Sequence, residues 1–105
     1  MSLVTLEECL AYVKYEVSEN DLKDPEIETD INTLSQFLNT SLHYLKNATG
    51  KEFVNNPLAK TYVLISVAEM FDDYLGRTKK DVMSTKNLLL EQLKYDNDLW
   101  YIKTE

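Results

Sequence analysis

The chain has 105 residues, of which 44% are apolar and 28% are charged, and it contains only two glycines and two prolines. This length fits one domain over residues 1–105. The scarcity of glycine and proline argues against an all-β fold, which needs many tight turns. The net charge of −7 argues against broad nucleic-acid binding, because that affinity comes mainly from lysine and arginine neutralising phosphates.

Features that would direct the chain to a membrane or out of the cell are not visible. No apolar run approaches the ~20 residues of a membrane-spanning helix. The first residues lack a basic segment followed by an apolar stretch, so we expect no secretory signal. Cys9 is the only cysteine, which excludes an intrachain disulfide and fits a reducing compartment.

The first predicted helix opens with a capping box, in which Thr5 takes the N-cap position and Glu8 stands three residues later. We expect it to continue to about Tyr15. Its apolar stripe has spacings of three and four residues and consists of Leu6, Cys9, Leu10 and Val13. An acidic segment follows, because residues 16–30 hold seven acidic side chains and one lysine.

The second predicted helix is long, from about 25 to 49. Asp24 and Pro25 form a typical start, with a carboxylate at the N-cap and proline at the first helical position. Gly50 is the expected stop. Since a helix rises 1.5 Å per residue, this one is ~37 Å long, and we expect one end to project from a small core.

The third predicted helix runs from about 57 to 75, between the cap-and-proline pair Asn56-Pro57 and the stop Gly76. Twelve of its eighteen residues from 58 to 75 are apolar. Only a narrow strip is expected to be exposed to water: Ser66, Glu69, Asp72 and Asp73. Such a helix is either central in its own fold or shared with a neighbouring subunit. The second interpretation predicts subunit packing through Tyr62, Val63, Val67, Met70, Phe71 and Tyr74.

A fourth helix is expected to start at Ser84 or Thr85 and to carry several leucines. Residues 96–98, Asp-Asn-Asp, should end it, and residues 99–102 form an apolar tail with β propensity. The sequence therefore predicts an all-α fold, a small bundle of about four helices.

The search for chemistry finds little. His43, the only histidine, falls on the polar face of the second helix and reads as an exposed side chain, and Cys9 reads as a buried small apolar residue. One histidine and one cysteine on different helices do not provide the ligands that zinc needs. We therefore predict no catalytic residues, no metal and no cofactor, and a protein that is not an enzyme.

Two groups of residues are candidates for contact with partners. The cations Arg77, Lys79 and Lys80 either complement the dipole at the end of the third helix or form a docking patch for an acidic partner or passing DNA. The second group is the apolar tail, Trp100, Tyr101 and Ile102. These side chains either fold back on the core or remain exposed to bind a partner, because aromatic residues often anchor protein interfaces.

The order of these segments resembles a known family. The segments that carry the resemblance are residues 3–8, the end of the second helix over 44–50, the proline-initiated apolar helix over 57–71, and the leucine-rich run over 88–95. Over about residues 3–96, the chain is similar to the small head–tail connector proteins of tailed bacteriophages and prophages, also described as head-completion or DNA-packaging adaptor proteins.

This resemblance implies a non-enzymatic virion component. It implies a homo-oligomeric ring, a dodecamer on the portal, that docks below the portal protein, extends the DNA channel, helps retain packaged DNA and receives the next connector or tail-completion protein. DNA would pass the ring without sequence-specific binding. The expected location is the neck of the virion, and the host cytoplasm during assembly. The alternative is a small acidic helical regulatory protein that sequesters a host or phage protein, for example as a DNA mimic; the net charge of −7 favours it.

Overall fold

A computed structural model of the chain describes residues 3–15, 24–77 and 82–95, together with the backbone of residues 101–103. The predicted all-α bundle of about four helices, with one long helix and one central apolar helix, is confirmed. The described elements are α1 (Leu6–Tyr12), α2 (Pro25–Thr49), β1 (Lys51–Phe53), α3 (Pro57–Leu75), α4 (Met83–Lys94) and β2 (Tyr101–Lys103).

The long helix α2 begins and ends where the sequence predicts. The Asp24 side chain accepts a hydrogen bond from the backbone N–H of Glu26 at 2.9 Å, and Pro25 occupies the first turn. Gly50 closes the helix in the left-handed conformation, with φ of 70°, and its N–H donates to the carbonyl of Lys46. A side chain at that φ would be strained, which explains why glycine is the stop.

The central helix α3 is capped by a buried side chain. The Asn56 carbonyl oxygen accepts from the backbone N–H groups of Leu58 at 2.9 Å and Ala59 at 3.2 Å. Because Asn56 is itself buried, these bonds are shielded from water. Gly76, with φ of 74°, ends the helix as predicted.

The capping box of α1 is present, but the helix ends at Tyr12 rather than near Tyr15. Lys14 adopts a left-handed conformation with φ of 58°, and the N–H of Tyr15 then donates back to the carbonyl of Leu10 at 3.0 Å. This turn carries the ring of Tyr15 onto Phe71 in an edge-on contact with centroids 5.6 Å apart. Tertiary packing therefore sets the end of the helix.

The last helix, α4, begins at Met83, slightly before the predicted Ser84 or Thr85. Its N-cap is Val82, which offers no side-chain hydrogen bond. The opposite end is held by another element, since the ammonium of Lys51 donates to the carbonyls of Leu93 at 3.0 Å and Lys94 at 3.1 Å.

The short strands β1 and β2 pair antiparallel, with Phe53 opposite Tyr101 and Lys51 opposite Lys103. The sequence predicts β propensity for residues 99–102, and the backbone of β2 bears this out at 101 and 102. It does not predict β1. Residues 96–100, including Trp100, lie outside the described residues.

The core lies around α3, which packs against α1, α2 and α4. Of its twelve apolar residues, only Leu58 and Tyr74 are exposed. Two expectations need correction here. The apolar surface of α3 is largely covered within one chain, and Ser66 is buried instead of lying on a wet strip, because three helices surround α3.

Candidate functional site

Arg77 is the one predicted interface cation that the structure describes. Its guanidinium Nη1 donates to the carbonyl of Val13 at 2.7 Å and lies 3.4 Å from Oδ1 of Asp72. The side chain therefore joins the ends of α1 and α3 while remaining partly exposed. Lys79 and Lys80 lie outside the described residues.

The predicted aromatic tail is described only as backbone. Tyr101 and Ile102 belong to β2, which pairs with β1 of the same chain. Their side chains and the whole of Trp100 lie outside the described residues, so their role toward a partner stays a prediction.

The residues predicted to pack against neighbouring subunits are mostly enclosed in one chain. Tyr62, Val63, Val67 and Phe71 are buried in the core. Met70 is partly buried and Tyr74 is exposed. The four buried side chains contact their own bundle, so the apolar surface of α3 no longer supports them as subunit contacts.

Exposed apolar side chains are instead concentrated on α4 and the neighbouring part of α2. Met83 is 62% exposed, Leu88 is 68% exposed, and Tyr95, just after the helix, is 74% exposed. On α2, Tyr44 is 58% exposed. Leu88 and Tyr95 stand seven residues apart, so they share one helical face. This outer face of α4, defined by Leu88 and Tyr95, has no covering element among the described residues.

A cleft of about 220 Å³ lies between α2, α3 and α4. Tyr44 of α2 and Met83 of α4, two exposed apolar residues, stand on its two sides. The remaining lining residues are Thr40, Ser41, Tyr62, Ser66, Glu69, Met70, Lys86, Asn87 and Leu90. We call this the α2–α3–α4 cleft.

The charged groups of the cleft neutralise each other. Lys86 Nζ lies 3.0 Å from Oε1 of Glu69 and 5.7 Å from the centre of the Tyr62 ring. Burial raises the pKa of Tyr62, so its phenol stays protonated at neutral pH. The cleft therefore presents neutral polar groups and apolar walls, with one internally paired cation and anion.

Two buried hydroxyls add an unusual feature to the cleft. Ser41 on α2 and Ser66 on α3 both line it; the Ser66 hydroxyl interacts with the Tyr62 phenol, and the Ser41 Oγ has no hydrogen-bond partner among the described residues. Their residues are 2% and 6% exposed. Most buried polar atoms in proteins find a partner, so Ser41 is the exception in this cleft.

Sequence reasoning missed this cleft for an identifiable reason. Ser41 stands three residues after Leu38 and four before Leu45, which are both buried. This spacing places Ser41 on the apolar stripe of α2, so its burial could have been predicted from the sequence. Ser66 and Lys86 reach the cleft only because α3 and α4 pack together, and no sequence spacing reports that contact.

A second groove of about 410 Å³ runs between α2 and β1 and includes His43 and Phe53. His43 is exposed, as predicted. Lys46 and Glu52 form a long ion pair of 3.9 Å among the residues that line it. Among the described residues, no hydrogen bond or ion pair joins His43 to a nucleophile or to a second titratable side chain, so this groove shows no catalytic geometry.

The acidic start of α2 is partly used within the chain. Asp30 accepts hydrogen bonds from the phenols of Tyr15 at 2.7 Å and Tyr74 at 3.0 Å. Asp24 caps the helix, whereas Glu26 and Glu28 are exposed. Residues 16–23 of the acidic segment lie outside the described residues.

Reactive chemistry is not assembled in the described segments. Cys9 is buried, as predicted, and desolvation raises the pKa of its thiol to about 11, which keeps it protonated and a poor nucleophile. Across residues 3–15, 24–77 and 82–95, no group of three or more histidine, cysteine or acidic side chains is placed to hold a metal ion. None of the described helices combines the length and apolar character that crossing a membrane requires.

Comparison with known proteins identifies no relative, so a functional proposal depends on the surfaces described above. No protein-family model matches the chain, and neither a curated protein nor a solved structure matches it.

Proposed function

We propose that this protein is a structural subunit of a bacteriophage head–tail connector. In this role, copies of the chain form a ring below the portal, extend the DNA channel, help retain packaged DNA and join the tail. The proposal starts from the resemblance over about residues 3–96. It agrees with the observed order of a short helix, a long proline-initiated helix and a central apolar helix.

The observation that carries the proposal is the exposed apolar surface outside a complete core. The core of one chain already encloses Val63, Val67 and Phe71 of α3. Leu88 and Tyr95 remain more than two-thirds exposed on one face of α4. Exposed apolar groups that share a face are typical of protein-contact surfaces. We therefore assign subunit or portal contact to the outer face of α4 instead of α3.

The direct experiment mixes the purified chain with a purified portal protein and examines the mixture by native mass spectrometry and electron microscopy. We expect a ring of defined stoichiometry on the portal. A chain that stays unbound beside every portal and tail-completion protein offered would contradict the connector proposal.

Variants on α4 localise the contact. Leu88→Glu combined with Tyr95→Glu should reduce ring formation strongly, because two charges would be desolvated at an apolar interface. Tyr12→Glu is the matched control, since Tyr12 is 47% exposed on α1, which packs against α2 and α3. Equal loss in both variants would show that the outer face of α4 has no special role.

A second candidate function is sequestration of another protein by an acidic surface. It is favoured by the net charge of −7 and by the exposed carboxylates of Glu26 and Glu28. A pull-down that returns a nuclease or polymerase, released by competing duplex DNA, would favour this role. Glu26→Gln combined with Glu28→Gln should then weaken the capture, whereas ring formation on a portal should be unaffected.

A further inference from the structure

We propose that the groove between α2 and β1 receives the outer face of α4 from a second copy of this chain, in a head-to-tail contact. The groove, which we call the α2–β1 groove, is lined by residues within 39–46 and 51–54 and by Leu3. This inference rests on the proposed function, because it names the two surfaces that would join neighbouring subunits of a ring.

The symmetry of a ring requires two different surfaces on every copy. Identical subunits close into a ring through head-to-tail contacts, in which one surface of each copy fits another surface of the next. The outer face of α4, with Leu88 and Tyr95, supplies one of them. Contact of this face with itself would give a two-fold dimer and no ring. Its complement must therefore lie elsewhere on the chain.

The α2–β1 groove lies on a different side of α2 from the one that α4 covers. Asn39, His43 and Lys46 line it at spacings of four and three residues, which places them on one face of α2. Thr40 and Tyr44 line the α2–α3–α4 cleft, and each follows a groove residue by one position, about 100° around the helix. Among the residues that the structure describes, none from α4 lines the groove. The two surfaces of one chain are therefore separate.

The size and floor of the groove fit the two apolar side chains of α4. At about 410 Å³ it has more than twice the volume of the ~150 Å³ engineered cavity that holds benzene. Its floor includes Leu42, Leu45 and Phe53. Leu88 and Tyr95 stand two helical turns apart on one face and are 68% and 74% exposed. One helix can therefore place an aliphatic chain and an aromatic ring in the groove together.

The outer face of α4 also carries a negative charge. Glu91 stands three residues after Leu88 and four before Tyr95, so it shares their side of the helix. Its side chain is exposed, and none of the ion pairs among the described residues includes it. This face therefore presents a carboxylate between two apolar groups.

The charge of the groove is complementary to that face. The groove contains two lysines, Lys46 and Lys51, and one carboxylate, Glu52, which is an excess of positive charge in a chain of net charge −7. Lys46 and Glu52 are about half exposed and 3.9 Å apart, so exchanging this pair for a new one costs little. Lys46 can then meet Glu91 of the incoming copy, and such complementarity favours an acidic helix face as the occupant.

The contact is small enough that free copies stay apart at ordinary concentrations. It involves one face of a short helix and belongs with interfaces below about 1,200 Å², which are weak. Copies that are held side by side on a portal have a high effective concentration, so the same contact then forms. We therefore expect it in the ring and, transiently, in concentrated solutions of the free chain.

The first test traps the contact in the free chain by disulfide formation, in a Cys9→Ala background that removes the native thiol. Gln92→Cys, on the outer face of α4, and Asn39→Cys, in the groove, are both at exposed positions. Mixed at about 1 mM and oxidised mildly, the two chains should form the mixed dimer at least about threefold above the statistical yield. Replacing Asn39→Cys with Tyr12→Cys, on α1, should give only the statistical yield. A statistical yield with Asn39→Cys, or a predominance of the Gln92→Cys homodimer, would overturn the proposal.

The second test reverses charges and measures ring formation on a purified portal protein. Lys46→Glu and Glu91→Lys should each lower the yield of rings several-fold, and the chain with both changes should recover it, because every contact joins position 46 to position 91. Glu7→Lys makes the same change of charge at an exposed site on α1 and should have no effect. Circular dichroism checks that all four chains are folded.

The two tests separate this inference from the connector proposal. Rings that form equally well in all charge variants would remove the α2–β1 groove as the contact and leave the connector proposal intact. A selective Gln92→Cys to Asn39→Cys disulfide in a chain that binds no portal would do the reverse. Loss of rings in both single variants without recovery in the combined one would also overturn the pairing of the two surfaces.

Discussion

Lys14 follows α1 and Gly76 follows α3 at equivalent positions, and the two residues differ in the backbone strain that this position imposes. In each case the next residue donates its N–H back across the helix end, from Tyr15 to Leu10 and from Arg77 to Asp72. Both positions have left-handed backbones, with φ of 58° for Lys14 and 74° for Gly76. Only the lysine carries a Cβ that this conformation disfavours.

The pair gives two predictions of opposite sign. Lys14→Gly should raise the free energy of unfolding by about 0.5–1 kcal/mol, because relief of strain exceeds the added entropy of the unfolded chain. Gly76→Ala should lower it by about 1 kcal/mol through backbone strain alone, since a Cβ there meets no atom within 4 Å. Urea unfolding measures both. A destabilised Lys14→Gly chain would mean that the lysine side chain makes a compensating contact.

The buried thiol of Cys9 predicts a loss of stability at high pH. Burial raises its pKa from 9.0 in the unfolded chain to about 11 in the folded one. Its contribution to stability is fully present below pH 9.0, where the thiol is protonated in both states, and is lost as the pH rises toward 11. The change should not exceed about 3 kcal/mol.

The measurement compares urea unfolding of the native chain and Cys9→Ala at about pH 8, where the thiol is protonated in both states, and at about pH 10, where its ionisation differs most between them. Stability should fall more steeply with pH in the native chain. All other ionisable groups are the same in both chains, so only the difference between their slopes of stability against pH reports on Cys9. Parallel slopes would show that the thiol is not desolvated.

Helix ends show which part of this fold can be read from the sequence. The caps at Thr5, Asp24 and Asn56 and the stops at Gly50 and Gly76 were all predictable, because each uses atoms within a few residues of the helix end. The early end of α1 and the pairing of β1 with β2 were not, because each depends on a distant element.

The same distinction applies to the candidate site. Exposure of His43 and burial of Cys9 follow from helical periodicity and were predicted. The bond from Arg77 to the Val13 carbonyl joins residues 64 positions apart, and the α2–α3–α4 cleft forms between three helices. Local patterns carry no information on such contacts.

The contact between Lys51 of β1 and the last carbonyls of α4 predicts that β1 stabilises the end of that helix. Its ammonium donates to the carbonyls of Leu93 and Lys94 at the helix C-terminus, where the Leu93 carbonyl also accepts the N–H of Tyr95. Lys51→Met should keep the aliphatic packing and lose these charge-assisted bonds, at a cost of about 1–2 kcal/mol.

Lys46→Met is the matched control for that substitution. Lys46 is exposed, and its ion pair with Glu52 is long, at 3.9 Å, so the change should stay within about 0.5 kcal/mol. Hydrogen exchange provides the second readout, since amides near the end of α4 should lose protection only in Lys51→Met. Equal effects of the two variants would show that loss of positive charge, and not the helix contact, matters.

The number of helices packed around α3 decides whether one chain can cover its own apolar core without assembly. Sequence composition suggested that α3 carried more apolar surface than one small subunit could cover, but composition does not report how many neighbours a helix has. With α1, α2 and α4 packed around it, α3 leaves only Leu58 and Tyr74 of its apolar residues exposed. The core is therefore complete in one copy, and assembly would add contacts to an already folded subunit.

A complete core predicts that the isolated chain unfolds independently of its concentration. An obligate oligomer unfolds at a higher temperature when its concentration rises, because association and folding are linked by mass action. Across an about 100-fold range of concentration, the unfolding midpoint of this chain should stay constant within the error of calorimetry. The Leu88→Glu, Tyr95→Glu chain should behave identically, because the outer face of α4 is not part of the core. A midpoint that rises with concentration, together with dissociation on dilution, would return Tyr62, Val63, Val67 and Phe71 to a shared interface. It would also mean that the enclosed core of a single chain does not describe the protein in solution.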